Sequence, residues 1–472
     1  MTTTYDPFDP KYFDEGDLRE EMNRVYDLCH GCRLCFKFCT SFPTLFGYID
    51  EFEDQDAARM TPAQQDQVVE ECFQCKLCYV NCPYVPGQHE WELDFPRLMM
   101  RAEQVQHRNH RRSPRELIED NALGRTDLVG RLNTLAAPLA NKALGTPGSA
   151  IRKVVAKTVG IASDRVLPPY TRQRFSSWFK KRGGSHLTRD KQGTVALFPT
   201  CLVEYQNVGV GHDTVKVYER NGIECTLPDG MQCCGAPMLH QGDVDGFRKA
   251  GAKNVAVLAQ AIREGDARGD DLRVVVTQPT CSYILKKDYP DYLGGPDAEL
   301  VASRTMDVAE YLWERVHKGD GTELDKEFTG EVPESTTYHA PCHLRAQNIG
   351  LKSRDLLKLT GTKLTLVAEC SGIDGTWGLR EENYEISRGV AKKMAKAIIK
   401  ADSASIAGDC SLANGGIVLE TGRVPVHPLQ QLARAYGIDE EPEAVRQRDY
   451  LERSAEGAQR RSAEHVPQAE ER

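Results

Sequence analysis

The sequence predicts a helical, cysteine-rich N-terminal unit followed by two α/β lobes that repeat each other. Three observations carry this reading. Cysteines fall in two runs of identical spacing, at positions 29, 32, 35, 39 and 72, 75, 78, 82, each preceded by a stretch with helical apolar periodicity. Apolar segments carrying a cysteine recur at 195–203 (VALFPTCLV) and 336–344 (TTYHAPCHL). Each opens an alternation of strand-like and helix-like stretches, and crossovers of that length join parallel strands.

In chain order, residues 17–28 read as a helix with Asp17 as N-cap, Glu20 three residues on, and Leu18, Met22 and Val25 as an apolar stripe running into Cys29. Thr61, Pro62 and Gln64 repeat the device, opening a helix through Val68 and Val69 that ends at Cys72. The C-x2-C-x2-C-x3-C-P run at 72–83 has iron–sulfur spacing: three thiolates wrap one cluster and the fourth serves another. Two 4Fe-4S clusters are therefore expected, one on Cys29, Cys32, Cys35 and Cys82, the other on Cys72, Cys75, Cys78 and Cys39. Structural zinc or eight reduced core thiols is the alternative, although a tetrahedral zinc site rarely needs three such steps in a row. Residues 40–71, rich in Glu, Asp and Gln, suit helices better than short hairpins. An α-helical ferredoxin domain is expected over 1–112, with a further helix near Arg97 to Gln106.

Length and composition bound what this unit serves. At 472 residues the chain suits about three domains of ~150 residues. The start, MTTTYDPFDPKYFDEGD, is acidic and lacks an apolar run, so no secretory leader is expected, and the sixteen cysteines are expected to be metal-bound thiolates in a reducing cytoplasm. No window approaches the ~18 consecutive apolar residues of a membrane span. A net charge of -9 argues against nucleic acid as a partner, because such binding rests on neutralising phosphates with Lys and Arg.

Residues 113–192 carry no cysteine and read as a helical, basic connecting segment. Stretches 128–144 and 150–162 interleave Arg131, Lys142, Arg152, Lys153 and Lys157 with Leu, Val and Ala. Such a pair suits an anionic membrane surface or a docking partner; surface helices packed on neighbouring domains share the pattern. Residues 170–192, basic around Trp178 and Phe179, read as a solvated linker.

The lobes are expected at 193–330 and 331–438. Their glycine-bearing loops, CCGAP at 233–237 and CSGIDG at 370–375, precede alanine-rich helices at 250–262 and 387–399 and then strands carrying Cys281 and Cys410. Loops at the carboxyl ends of parallel strands build sites, so Cys201, Cys233, Cys234 and Cys281 are expected to converge as a third cluster site. Cys342, Cys370 and Cys410 form a smaller set in the second lobe, with Ser371 where the first has Cys234. Inert buried thiols are the alternative in both lobes. Cys225 is assigned to packing, and His240 and His343 either tune a site or are satisfied structural histidines. Gly209-Val210-Gly211 meets Thr214 where a dinucleotide fingerprint needs a third glycine, and no P-loop, HExxH or Ser/His/Asp order is visible. The polar tail, 439–472, reads as a solvated helix or disordered.

The two cysteine runs followed by duplicated CCG lobes resemble the iron–sulfur C subunit of anaerobic glycerol-3-phosphate dehydrogenase and the D subunit of heterodisulfide reductase, with glycolate oxidase and lactate-utilisation iron–sulfur subunits as relatives. The resemblance runs from Leu18 to Tyr436 and includes HPLQQLARAY from His427. The family's CCG pattern ends in C-x2-C, whereas Ile284 and Ala413 stand there and Ser371 breaks the second CCG. These departures fit a subunit that relays electrons rather than one that cleaves disulfides on a non-cubane cluster. The resemblance implies no catalytic residue of its own, a flavoprotein dehydrogenase partner of glycerol-3-phosphate, glycolate or lactate type, and a quinone or redox-protein acceptor. The location implied is cytoplasmic, with peripheral contact at the inner face of the membrane. The competing expectations are a thiol or heterodisulfide reductase centred on Cys233 and Cys234, and an electron donor to a rubrerythrin-type peroxidase.

Overall fold

The computed structural model describes residues 5–110, 113–319, 322–373 and 375–464. The N-terminal unit is built from α1 (Glu15–Cys32), α2 (Ser41–Asp50), α3 (Pro62–Glu70), α4 (Leu77–Asn81) and α5 (Phe95–Asn109). The cap of α1 is Asp14 rather than Asp17: Asp14 has extended backbone and its carboxylate accepts from the Asp17 amide at 2.8 Å. Asp17 is already inside the helix, and its carboxylate takes Arg101 Nη2 at 2.8 Å. At α3 the capping box of Thr61 and Gln64 forms with Pro62 in the first turn, as the sequence predicts. Leu18, Met22 and Val25 of α1 meet Phe42, Val68, Val69, Leu98 and Met99 in one buried core. Removing each such side chain from water contributes roughly 1.5–3 kcal/mol.

The connecting segment forms α6 (Pro114–Gly124), α7 (Thr126–Leu135), α8 (Ala137–Leu144), α9 (Ala150–Val159) and α10 (Phe175–Lys181). Residues 170–192 are not a solvated linker. Phe175 and Phe179 of α10 are buried in the first lobe's core, and some of the segment's charges are paired, Arg182 with Glu219 at 2.9 Å and Lys191 with Glu224 at 2.7 Å. The segment also ties to the second lobe, where the Ala162 amide donates to the Leu379 carbonyl at 2.9 Å.

The first lobe runs β1 (Gly193–Phe198), α11 (Cys201–Tyr205), α12 (Val208–Arg220), β2 (Ile223–Thr226), α13 (Ala236–His240), α14 (Val244–Ala267), β3 (Arg273–Val276), α15 (Pro279–Tyr283), α16 (Tyr289–Leu293), α17 (Gly295–Arg304), β4 (Thr305–Asp307) and α18 (Val308–Val316). Its sheet is parallel with order β2-β1-β3-β4. Val195 and Leu197 face one core and Ala196 and Phe198 the other, the two-sided burial of a sheet covered by helices on both faces. β4 was not legible in the sequence, because three residues carry no period. The second lobe runs β5 (Ser335–His339), α19 (Cys342–Ala346), α20 (Lys352–Leu359), β6 (Lys363–Val367), α21 (Tyr384–Ala401), β7 (Ser405–Gly408), α22 (Ser411–Thr421) and α23 (Pro428–Ala435), with a parallel sheet of order β6-β5-β7. Both leading strands stop short of the expected ends at Cys201 and Cys342, at Phe198 and His339. Pro199 and Pro341 follow closely, lack an amide to donate to a ladder, and leave Cys201 and Cys342 to open helices.

The described part of the tail forms α24 (Pro442–Glu464), and it is packed rather than solvated. Ala444, Ala455 and Ala458 are buried, and Ser454 Oγ donates to the Gly145 carbonyl at 3.0 Å. Small residues allow the approach: a Cβ on Gly209 of α12 would lie 2.6 Å from Ala444 Cβ. Gly209 and Gly211 thus serve helix packing inside α12, not a nucleotide loop. Residues 465–472 lie outside the described residues.

Candidate functional site

The ends of α1 and α3 aim the N-terminal thiols. Cys29 and Cys32 occupy the last turn of α1, whose cap Arg33 is left-handed with φ 55. Cys75 lies between Gln74 and Lys76, left-handed at φ 50 and φ 62, a conformation that costs about 1 kcal/mol or more per non-glycine residue. The two side chains hold this turn, with Lys76 Nζ donating to Gln74 Oε1 at 2.8 Å in a buried setting. Cys78 sits inside α4 and Cys82 ends it.

The thiols associate across the two runs. Burial raises the Cys29 thiol, and Cys35, Cys82 and Cys32 raise it further. Burial likewise pushes Cys35 up to about 12, with Cys82 and Cys32 adding to it. Cys39 is raised by burial and then by Cys72 and Cys75, and Cys78 by burial and then by Cys75, Cys72 and Cys39. Cys82 thus lies within electrostatic reach of Cys29, Cys32 and Cys35, and Cys39 of Cys72, Cys75 and Cys78, while Cys35 also reaches Cys75 and Cys78, so that the eight thiols adjoin.

In the first lobe the CCG loop enters α13 through Gly235, left-handed at φ 90, where a Cβ would lie 2.6 Å from a Phe247 ring carbon. Glycine alone fits both demands. Cys234 Sγ lies 3.2 Å from Cys281 Sγ, and the neighbouring Cys201 and Cys234 thiols lower that of Cys233, so the four thiols adjoin one another. The loop is braced from three sides. The Cys233 amide donates to Asp127 Oδ2 at 2.6 Å, Asn254 Nδ2 donates to the Cys233 carbonyl at 3.1 Å, and Tyr289 OH donates to the Cys234 carbonyl at 3.1 Å. Thr126 and Asp127 open α7, in a segment that no cysteine spacing marked as part of a site.

In the second lobe the neighbouring thiols of Cys370 and of Cys75 in the N-terminal unit, the largest causes, and then burial raise the Cys342 thiol, while the Gly372 amide donates to Cys370 Sγ at 3.3 Å. Cys410 lies within electrostatic reach of Cys281. Cys75, Cys342, Cys370 and Cys410 share a cavity of about 40 Å³ with His339 and His343. His343 is structural: its Nε2 donates to the Gln74 carbonyl at 2.9 Å and its Nδ1 accepts from Thr280 Oγ1 at 2.8 Å, joining all three units. Burial drops it to about 4 and drops its ring neighbour His240, 5.9 Å away, well below the ordinary value. Cys225 is buried in the β2 core, apart from this line.

The donor set is sulfur throughout, which suits iron–sulfur clusters. Gathered thiolates repel one another and are costly to bury unless cationic iron offsets them. Among the described residues no three His, Cys, Asp or Glu side chains are drawn tightly enough together for a single metal ion, and no helix is long and apolar enough to cross a membrane.

Comparison with known proteins agrees with this chemistry. The 4Fe-4S dicluster domain family matches residues 21–102, and the cysteine-rich domain family matches twice, at 195–286 and 336–412. The chain is 28% identical to the C subunit of anaerobic glycerol-3-phosphate dehydrogenase from Escherichia coli K12 over 68% of this chain and 78% of the relative. It is 27% identical to the B subunit of fumarate reductase (CoM/CoB) from Methanothermobacter marburgensis over 70% and 63%, and 29% identical to lactate utilization protein A of Geobacillus thermodenitrificans over 39% and 74%. The chain thus carries a 4Fe-4S dicluster domain followed by a cysteine-rich domain that occurs twice, and it is similar to the C subunit of anaerobic glycerol-3-phosphate dehydrogenase.

Proposed function

We propose that this chain is the electron-transfer subunit of a flavoprotein dehydrogenase, carrying electrons between a partner's reduced flavin and a quinone. Cys29, Cys32, Cys35 and Cys82 would hold one 4Fe-4S cluster, Cys39, Cys72, Cys75 and Cys78 a second, and Cys201, Cys233, Cys234 and Cys281 a third; Cys342, Cys370 and Cys410 are a smaller candidate set. Bound to such thiolates, a cluster supplies reversible one-electron chemistry. The protein's part is to orient the sulfurs, bury them from water and hold the units in register, which His343 does through Gln74 and Thr280.

The observation that carries the reading is that Cys75 of the N-terminal unit lines one cavity with Cys342, Cys370 and Cys410 of the second lobe, with Cys410 within electrostatic reach of Cys281 in the first. A relay needs thiols of the three units near one another in this way. The relatives are named as subunits of a dehydrogenase and a reductase, which supports a partner-dependent role. The test is anoxic purification with metal and sulfide analysis and paramagnetic resonance before and after dithionite. The expected result is reducible cubane signals that a disulfide leaves unchanged; colourless or zinc-loaded protein refutes the proposal.

One observation favours the reductase reading as well. Cys233 lines two clefts, of about 320 Å³ and 360 Å³, so a small disulfide could reach it. A new paramagnetic state on adding a disulfide would decide for that reading.

A further inference from the structure

We infer that His339 is the fourth ligand of an iron–sulfur cluster held in the second lobe by Cys342, Cys370 and Cys410. This assignment rests on the relay reading, under which that lobe is one thiol short of the first. His339 is 2% exposed and lines the cavity that the three thiols share. Its Nε2 donates to the Glu369 carbonyl at 3.0 Å. A carbonyl only accepts, so Nε2 carries the ring proton and Nδ1 presents a bare lone pair. Nδ1 is buried, and no group among the described residues is hydrogen-bonded to it. Buried polar atoms are otherwise paired, so an unpartnered acceptor on a wall with three thiols marks a position kept for a metal. The hold on Nε2 is the one a ligating imidazole needs. The N–H remote from the metal is ordinarily given to a carbonyl or carboxylate, which fixes the tautomer and aims the ring. Here that carbonyl belongs to the residue before Cys370, so one loop places both the thiol and the imidazole.

His343 lines the same cavity, yet both of its nitrogens are engaged, Nε2 by the Gln74 carbonyl and Nδ1 by Thr280 Oγ1. It is closed to a metal where His339 is open. The first lobe shows what His339 replaces. β1 ends at Phe198, three residues before Cys201, and β5 ends at His339, three residues before Cys342. Phe198 is buried in an apolar core and can ligate nothing. The opposite exchange occurs at the loop, where Cys234 of the first lobe gives way to Ser371 on the wall of the second-lobe cavity. One lobe therefore has a phenyl ring and a fourth thiol, the other an imidazole and a hydroxyl, and each offers four donors. Imidazole suits iron, whereas a serine hydroxyl keeps its proton at neutral pH. Cys75, also on this wall, belongs by its spacing to the N-terminal run. Among the described residues no such set closes on a single ion, and the several irons of a cluster span more widely set ligands.

The exchange has a redox consequence. A neutral imidazole in place of a thiolate makes the cluster less negative by one charge, and histidine ligation raises the potential of iron–sulfur centres. The second-lobe centre is thus the step most readily reduced, above the all-thiolate clusters of the N-terminal unit.

The full-length protein is produced without oxygen, with ordinary histidine and with histidine labelled with heavy nitrogen. Pulsed paramagnetic resonance is recorded on both at stepwise lower potentials. The expected result is a strongly coupled nitrogen, altered by the label, on the signal that appears first. His339→Cys should lose that coupling, keep the iron content and the N-terminal cubane signals, and move the first reduction to lower potential. Cys342→Ala should abolish the same signal. Clusters of the wild-type protein without a label-sensitive coupling overturn the inference, and that comparison needs no variant to fold. A coupling that persists in His339→Cys, a signal that survives Cys342→Ala, or zinc in the second lobe overturns it as well. The N-terminal cubane signals in the same spectra report on the relay separately: if they are present without the coupling, His339 alone is refuted, and if they are absent both readings fall.

Discussion

Asp127 offers a test of how the connecting segment governs the first-lobe site. Its carboxylate accepts from the Cys233 amide at 2.6 Å and from Tyr205 OH at 3.2 Å, so Asp127→Ala removes the partner of two donors at once. A backbone amide bonded to a carboxylate contributes about 1.5–3 kcal/mol, and the partly exposed site recovers some of this by hydration. A net loss of about 2 kcal/mol in the closed state of the CCG loop follows. At ~1.4 kcal/mol per tenfold, amides in 230–236 should exchange with solvent deuterium about thirtyfold faster, while those of α1 and α5 keep their wild-type rates. Asp127→Asn keeps one carbonyl acceptor and should fall between the two. Anoxic hydrogen–deuterium exchange with mass spectrometry reads all three proteins. If Asp127→Ala leaves exchange in 230–236 unchanged, the loop is held by Asn254 and Tyr289 alone and the role given to α7 is wrong.

Three further expectations are independent of that loop. Cys225→Val should leave iron and sulfide content unchanged, because Cys225 is a packing residue in the β2 core, whereas Cys82→Ser should lower the iron bound by the N-terminal unit; metal analysis of anoxic protein checks both. Gly211→Ala places a Cβ 2.6 Å from both Phe175 and Val203, an overpacking cost of roughly 1–3 kcal/mol, so the melting temperature should drop while visible absorption per protein holds. Asp213 of α12 is raised to about 7 by burial, the largest cause. Its folded value lies above its unfolded value, so the folded chain binds the extra proton and stability is lost as pH rises from the usual carboxylate range through about 7. Asp213→Asn should flatten this slope and melt later than wild type above neutral pH; equal slopes in thermal melts would refute the assignment.

The reach of the sequence varied along the chain. Cysteine spacing and local signals were enough for the dicluster domain at the N-terminus, the capped helix at Thr61 and the parallel strands that open each lobe. These signals work because ligand spacing, capping and period-two alternation are decided within about ten residues. Where two local candidates competed, at Asp14 and Asp17, only the contact of Asp17 with distant Arg101 chose between them. The polar stretches at 170–192 and 440–464 misled for the same reason. Their charged surfaces were plain, but the few residues that bury, Phe175, Phe179, Ala444, Ala455 and Ala458, have partners hundreds of residues away in places.

By itself the sequence determined which atoms are available: sulfur at regular intervals, turn residues beside it, and apolar periods that build two parallel sheets. Tertiary structure alone decided who meets whom. Cys75 lines a cavity with Cys342, Cys410 comes within electrostatic reach of Cys281, Asp127 braces Cys233, and the leucines of α7 are left facing outward. The division has a physical origin: spacing along the backbone is fixed by covalent geometry over a few residues, whereas these contacts join segments that come together only when the cores between them close.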